Sequence, residues 1–305
     1  MSIEAVVEKK LQTYFQDDSI EFDKSRFAGG LTNYNYIMQI KGTEYVIRQP
    51  GGMTNKMIDR KVEKENNRIA SQMGINSECV YFDEESGTKF SKYIPNSENI
   101  ANLNPNSPQN IEAVSEIMRK IHQSKYTFSN EFDFKSELDK YESLVEELNG
   151  SFFFDYLEHK EQLFEYMENH LTEMNFLPCH NDTVPENFIM DKDGVAYLVD
   201  WEYSGMNDPN WDIAAYILES RLTQEGVENL YKSYYQRVPN DKELGNIKCY
   251  ILAQDLLWTV WALIRHYNGD DFLQYCYMRY ERFKKNIREM NNEAEYPIAT
   301  MADYN

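Results

Sequence analysis

"LPCHNDTVPENFIMDKDGVAYLVDW", residues Leu177 to Trp201, sets His, Asn, Pro and several Asp side chains between two short apolar runs. A tight turn between "NFIM" and "AYLVD" needs one Asn or Asp with a Gly, and Asp193-Gly194 already meets that need. The other polar groups are surplus to the turn. An Asn/Asp-rich hairpin loop accounts for Asp191 and Asp193, but not for the placement of Asp182, Asn187 and Asp200.

Phosphoryl transfer accounts for them. It needs a group that positions an acceptor hydroxyl, oxygen ligands for Mg²⁺, and donors that hold phosphates. In this reading Asp182 accepts the hydroxyl proton and Asn187, five residues on, ligates the metal from the same loop. Asp200, thirteen residues further at the end of the "AYLVD" strand, is the second ligand, brought to the same point by the hairpin. His180 reads as a brace for the loop rather than a catalyst. Asp212, in "NWDIAAY", either stabilises the first turn of its own helix or ties down the catalytic loop.

Outward from this stretch, "FAGGLTNYNY" lies between the first two strands. Gly29 and Gly30 let the backbone approach phosphates there, and Thr32 and Asn33 offer hydroxyl, amide and N–H donors. The loop lacks the Gly-Lys-Ser/Thr of a Walker A motif, which disfavours a P-loop ATPase. On the third strand, "EYVIRQPG", Arg48 is the only basic residue and a candidate cation for the nucleotide phosphates, the alternative being a solvated surface Arg. Glu63 on the following helix is the chosen partner acid, with Glu65 as the alternative. Near the C-terminus Trp258 and Trp261, three residues apart, share a helix face. They are either core or an aromatic cage for a quaternary ammonium, with acidic groups such as Glu219 adding long-range attraction.

The coarse organisation agrees with that chemistry. Residues 1–95 read as an antiparallel meander of short strands, with turns at Gly29-Gly30, Lys41-Gly42 and Gly51-Gly52, around one main helix, "NKMIDRKVEKENNRIASQMGI". "CVYFD" and "TKFSKYI" form a hairpin across residues 84–87. The Asn/Pro/Ser-rich "PNSENIANLNPNSPQN" marks a lobe boundary, and residues 96–290 are mostly helical, with 291–305 a loosely attached tail. The fold class expected is α+β, a two-lobed protein-kinase-like arrangement.

Bulk composition limits the partners. The 305 residues include 42% apolar side chains, enough for a substantial core. The net charge of -20 repels nucleic acid and anionic membranes and suits a small cation. Four scattered cysteines, Cys79, Cys179, Cys249 and Cys276, signal neither a zinc site nor a disulfide framework, and point to a reducing cytoplasm. No leader pattern and no run of 18 apolar residues occurs, so membrane insertion is not expected.

In order between residues 27 and 283 stand "GGLTNYNY", "YVIRQPG", "VEKENNRIASQMGI", "KYIPNSENI", "MRKIHQS", "HNDTVPENFI", "YLVDWEYSGMNDPNWDIAAYILE" and "LLWTVWALIRHYNGDDFLQYCYMRYERF". With these pieces the chain resembles the choline/ethanolamine kinase group of the aminoglycoside-phosphotransferase-like superfamily, and most nearly its bacterial choline kinases. The resemblance implies an ATP- and Mg²⁺-dependent kinase making phosphocholine. It implies Asp182 as catalytic base, Asn187 and Asp200 on Mg²⁺ with Glu202 near the metal, Arg48 on the nucleotide phosphates, and Trp258 and Trp261 lining the choline site. Val184 stands where some eukaryotic relatives have Gln, and their cage Tyr position is not aromatic here, so Tyr216 or Tyr231 is the expected substitute ring. Ethanolamine, an aminoglycoside or a sugar are the competing acceptors, and a non-catalytic kinase-like binding protein is the competing class. A homodimer is left open.

Overall fold

Strands β2 (Tyr34–Ile40) and β3 (Thr43–Gln49) pair antiparallel in the register Ile40 to Thr43, which leaves Lys41 and Gly42 as a two-residue turn. Both turn residues have positive φ, 51° and 84°, as a type I′ hairpin requires. The structure is a computed structural model and describes residues 2–30 and 32–291. Strand β1 (Phe27–Gly29) lines the outer side of β2. On the other side of β3 stand β5 (Lys89–Lys92) and then β4 (Cys79–Phe82), completing an antiparallel sheet ordered β1-β2-β3-β5-β4.

A helix absent from the sequence expectation, α1 (Ile3–Phe15), covers this sheet. It buries only Val7 and Leu11, against Met38, Ile40, Ile47 and Phe90. Two apolar residues one turn apart among charged neighbours give little periodicity to read. The expected strand "IEFDKSRFAGG" shrinks to β1. Asp17 and Asp23 each accept the N–H two residues on, from Ser19 and Ser25, and these local turns compete with a ladder.

After the short helix α2 (Thr54–Met57), α3 (Arg60–Gln72) is capped by Asp59 and turns a polar face inward: Arg60, Glu63, Asn66 and Asn67 are buried beside Ile69 and Ala70. The chain then passes to a second sheet, where β6 (Glu98–Asn99) pairs β8 (Phe188–Met190), and β8 pairs β9 (Ala196–Leu198) as the expected hairpin. A further pair joins β7 (Leu177–Cys179) to β10 (Gly205–Asn207). Both β6 and β10 are too short to carry a period of two.

The helices of this half are α4 (Pro108–His122), α5 (Phe134–Glu147), α6 (Tyr156–His170), α7 (Pro209–Glu219), α8 (Gln224–Tyr235), α9 (Asp241–Tyr267) and α10 (Leu273–Asn291). At its core lies α9, packed by α5, α6, α7 and α10. It is long and apolar enough to cross a membrane, yet 94% of its most apolar 18-residue window is buried inside the protein. The fold is thus a small antiparallel β lobe followed by a helical lobe. Residues 292–305, most of the expected tail, lie outside the described residues.

Candidate active site

Strand β7 delivers the chain to His180, and Asp212 in the first turn of α7 pins the loop that begins there. Its carboxylate accepts the N–H of His180 (2.9 Å) and of Asn181 (2.7 Å), and its carbonyl accepts the Thr183 hydroxyl (2.6 Å). Behind it, His122 Nε2 meets Asp212 at 2.9 Å and His122 Nδ1 meets the Tyr234 hydroxyl at 2.7 Å. Of the two roles open to Asp212, the loop tether is therefore realised, while Asp208 caps α7. His180 braces the loop from within. Its Nε2 lies 3.0 Å from the Val199 carbonyl and its Nδ1 accepts the Asp182 N–H, which assigns the Nε2–H tautomer.

The loop and the end of β9 bring four oxygen-bearing side chains together. Asn187 donates its amide to the Asp182 carboxylate (2.9 Å) and carbonyl (2.8 Å), leaving Oδ1 as an acceptor. Val199 N–H donates to the Asn187 carbonyl at 2.9 Å, locking the hairpin to the loop just before Asp200. Asp200 itself sits at φ 67° and Asn181 at 66°, left-handed conformations that non-glycine residues adopt rarely and that concentrate at functional sites. Burial, then repulsion from Asp200 and Glu202, pushes Asp182 up to about 8. Burial and Asp200 likewise push Glu202 up to about 7, against the pull of Arg60 and Arg48. Carboxylates crowded beside the Asn187 amide oxygen are a hard-donor set suited to Mg²⁺.

From the β lobe, Arg48 is fully buried rather than solvated. It pairs at two points with Glu63 (2.5 and 3.0 Å), donates to the Gly87 carbonyl (3.0 Å) and reaches Asp200 at 3.3 Å. Burial opposes ionisation of Glu63, but Arg48 and Lys89 bring it down to about 2. The alternative acid, Glu65, faces outward and pairs with Arg68.

In the glycine-rich loop, Gly29 and Gly30 have φ 106° and 120°. A Cβ on Gly30 would collide with the Asn33 carbonyl, and one on Gly51 with the Thr32 carbonyl, so the loop is folded tightly on itself and against the end of β3. Asn33 is buried and donates to Glu202 at 2.9 Å across the cleft.

The aromatic pair is less uniform. Trp258 and Trp261 are 6.4 Å apart, edge to face. Trp258 also meets Tyr203 at 5.2 Å, and the Tyr203 hydroxyl is buried beside that of Tyr141. Burial raises that hydroxyl's pKa, with Tyr141, Glu202 and Asp182 adding to it. Trp261 is deeper: Phe272 and Tyr275 pack its edges and the Arg265 guanidinium lies 5.8 Å from its ring centre. Tyr216 packs on Phe188, and Tyr231 on Tyr235. Neither of the expected substitute rings makes a ring contact with Trp258 among the described residues, and Tyr203 does. Glu219 is not a free acid, being paired with Arg279 and Arg282, both at 3.0 Å.

Residues 25–246 match the choline/ethanolamine kinase family model. The chain belongs to the choline/ethanolamine kinase family. It is 31% identical to protein LicA of Haemophilus influenzae over 91% of this chain and 83% of that protein. The crystal structure of choline kinase LicA from Streptococcus pneumoniae superposes with a TM-score of 0.81 at 31% identity, covering 94% of this chain and 99% of the other. LicA in complex with AMP gives the same TM-score at 29% identity, covering 95% and 99%. An aminoglycoside 2'-phosphotransferase shares the fold alone, at 13% identity and a TM-score of 0.67, covering 93% of this chain and 99% of that one.

Membership in this kinase family makes the protein a phosphotransferase of the kinase-like fold with a nucleotide site. The geometry brings two further residues to the centre that no motif in the sequence marks. Tyr203 follows Glu202 directly, but nothing in the spacing separates a ring that meets Trp258 from one that fills core. Arg60 precedes Glu63 by three residues, one helical turn, and that spacing was the available signal.

Proposed function

We propose that this family member is an ATP- and Mg²⁺-dependent choline kinase. What supports the reading is the convergence of Asp182, Asn187, Asp200 and Glu202 beside the Tyr203–Trp258 pair, together with the likeness to LicA proteins. Asp182 receives the proton of the choline hydroxyl. The hydroxyl oxygen bonds to the γ-phosphorus, the bond to the bridging oxygen of ADP breaks, and phosphocholine and ADP leave. Asn187, Asp200 and Glu202 would hold Mg²⁺, which neutralises phosphate charge when bound. Gly29, Gly30, Thr32 and Asn33 cradle the nucleotide, and Arg48, ordered by Glu63, faces its phosphates. Trp258 and Tyr203 receive the trimethylammonium group, with Trp261 behind Trp258. In this scheme residues 1–95 form the nucleotide lobe and 96–290 the catalytic and acceptor lobe, working in the cytoplasm. A homodimer is the assembly to test by light scattering.

One observation favours a second acceptor. Arg265 already stands at Trp261, so fewer ring faces remain for a quaternary ammonium, and ethanolamine needs fewer. ATP turnover with Mg²⁺, measured side by side with choline, ethanolamine and an aminoglycoside panel, decides the matter. Choline-dependent turnover supports the proposal; turnover with another acceptor alone replaces it; ATP binding without transfer to any of them returns the non-catalytic reading.

A further inference from the structure

Arg60, the first residue of α3, is 5% exposed and joins three of the proposed site residues without being one of them. Its Nη1 donates to Glu63 Oε2 at 2.6 Å and to Glu202 Oε2 at 3.1 Å, and its Nη2 reaches Asn33 Oδ1 at 3.5 Å. Asn33 closes the ring by donating to the same Glu202 oxygen. Among the described residues both hydrogen bonds to Glu202 fall on Oε2, which leaves Oε1 as the oxygen available to a metal.

The guanidinium is also held from the side. Gly87, in the β4–β5 turn at φ 77°, lies so close that a Cβ there would come within 2.5 Å of Arg60 Nε and 2.8 Å of Cζ. The carbonyl of this glycine binds Arg48. One planar fork thus bridges an acid on its own helix, an acid in the "DWEY" segment and the amide of the glycine-rich loop. The single ammonium of a lysine cannot span three such acceptors in fixed geometry.

We propose that Arg60 is a positioning residue that aims Glu202 at the metal and holds the Asn33 loop over the nucleotide site. The inference rests on the kinase reading above. Metal ligands are oriented by such outer partners, whose loss typically weakens metal binding by about 10- to 100-fold.

The test uses the full chain without turnover. Mn²⁺·ADP binding is followed by the electron paramagnetic resonance of free Mn²⁺, and hydrogen exchange of amides 29–35 is measured in the ligand-free protein. Arg60→Met should weaken Mn²⁺·ADP about tenfold or more, and Arg60→Lys should recover little of it. In a Glu202→Gln background the same change should add less than about twofold, because the two residues act as a unit. Loop exchange should rise in Arg60→Met. If that variant does not fold, Gly87→Ala displaces the guanidinium while keeping its charge, and should weaken Mn²⁺·ADP in the same way. Wild-type affinity and unchanged loop exchange in Arg60→Met, or wild-type affinity in a folded Gly87→Ala, would overturn the proposal. So would a full multiplicative effect on top of Glu202→Gln. Wild-type protein that binds no Mn²⁺·ADP overturns the kinase reading instead, and loop exchange alone then judges the hold of Arg60 on Asn33.

Discussion

Asn187 binds Asp182 twice, through the carboxylate at 2.9 Å and the backbone carbonyl at 2.8 Å, so one amide fixes both the rotamer of the acid and the curl of its loop. Removing the acid and removing its holder should therefore differ. Asp182→Ala should lower kcat by roughly 10²- to 10⁴-fold while Mg²⁺-nucleotide binding persists. Asn187→Ala should lose both. Single-turnover kinetics beside calorimetric nucleotide titrations separate the two outcomes, and equal binding losses in both variants would refute the division of roles.

The raised carboxyls give the metal-free protein a pH signature. Asp182 at about 8 and Glu202 at about 7 bind protons more tightly folded than unfolded, where the reference values are 3.8 and 4.5. Their contribution to stability is complete below about pH 4 and is lost as pH rises through 7 and then 8. Mg²⁺ competes with those protons, so the thermal shift given by Mg²⁺ with a non-hydrolysable ATP analogue should be larger at about pH 8.5 than at about pH 6.5. A shift that does not change with pH would argue against Glu202 as a metal ligand and against a metal close enough to compete with the proton on Asp182.

Glu63 has the opposite sign. Held near 2 against an unfolded value of 4.5, it adds stability that is present above about pH 4.5 and is lost as pH falls toward 2. Glu63→Gln strands the buried Arg48 and should cost about 3 kcal/mol at neutral pH. Urea melts across the acid range should also show a shallower loss of stability for the variant, since the titrating partner is gone.

The two tryptophans should part company on substitution. Trp258→Ala should raise the choline KM by up to roughly thirtyfold, the equivalent of about 2 kcal/mol of lost cation–π attraction, with the ATP KM little changed. Trp261→Ala opens a hole between Phe272, Tyr275 and Arg265 and should destabilise the fold by about 3 kcal/mol or more. A large choline effect with unchanged stability in Trp261→Ala would move that ring into the acceptor site.

The β8–β9 hairpin was legible because Asp193-Gly194 fixes the turn, which fixes where Asp200 lands relative to Asn187. Glu63 was separable from Glu65 only weakly in sequence, and the helix phase decides it: Glu63 faces the cleft with Asn66 and Asn67, while Glu65 faces solvent. That buried face is polar, so a search for apolar periodicity passes over it. Glu219 looked like a free acid because its partners, Arg279 and Arg282, are some 60 residues away in the chain. Contacts of that separation, like Asn33 with Glu202 or Tyr203 with Trp258, arise from packing of distant elements and leave no local trace.

Helix α9 has a consequence for how the protein can be handled. Inside the fold its partners cover it, but the bare segment meets the length and hydropathy of a bilayer span. A secretion or surface-display fusion that threads the chain unfolded through a translocation channel would present this helix to lipid before α10 has been made. Such a fusion should lodge in the membrane with its C-terminal part on the wrong side, whereas an export route that carries folded cargo should deliver it intact.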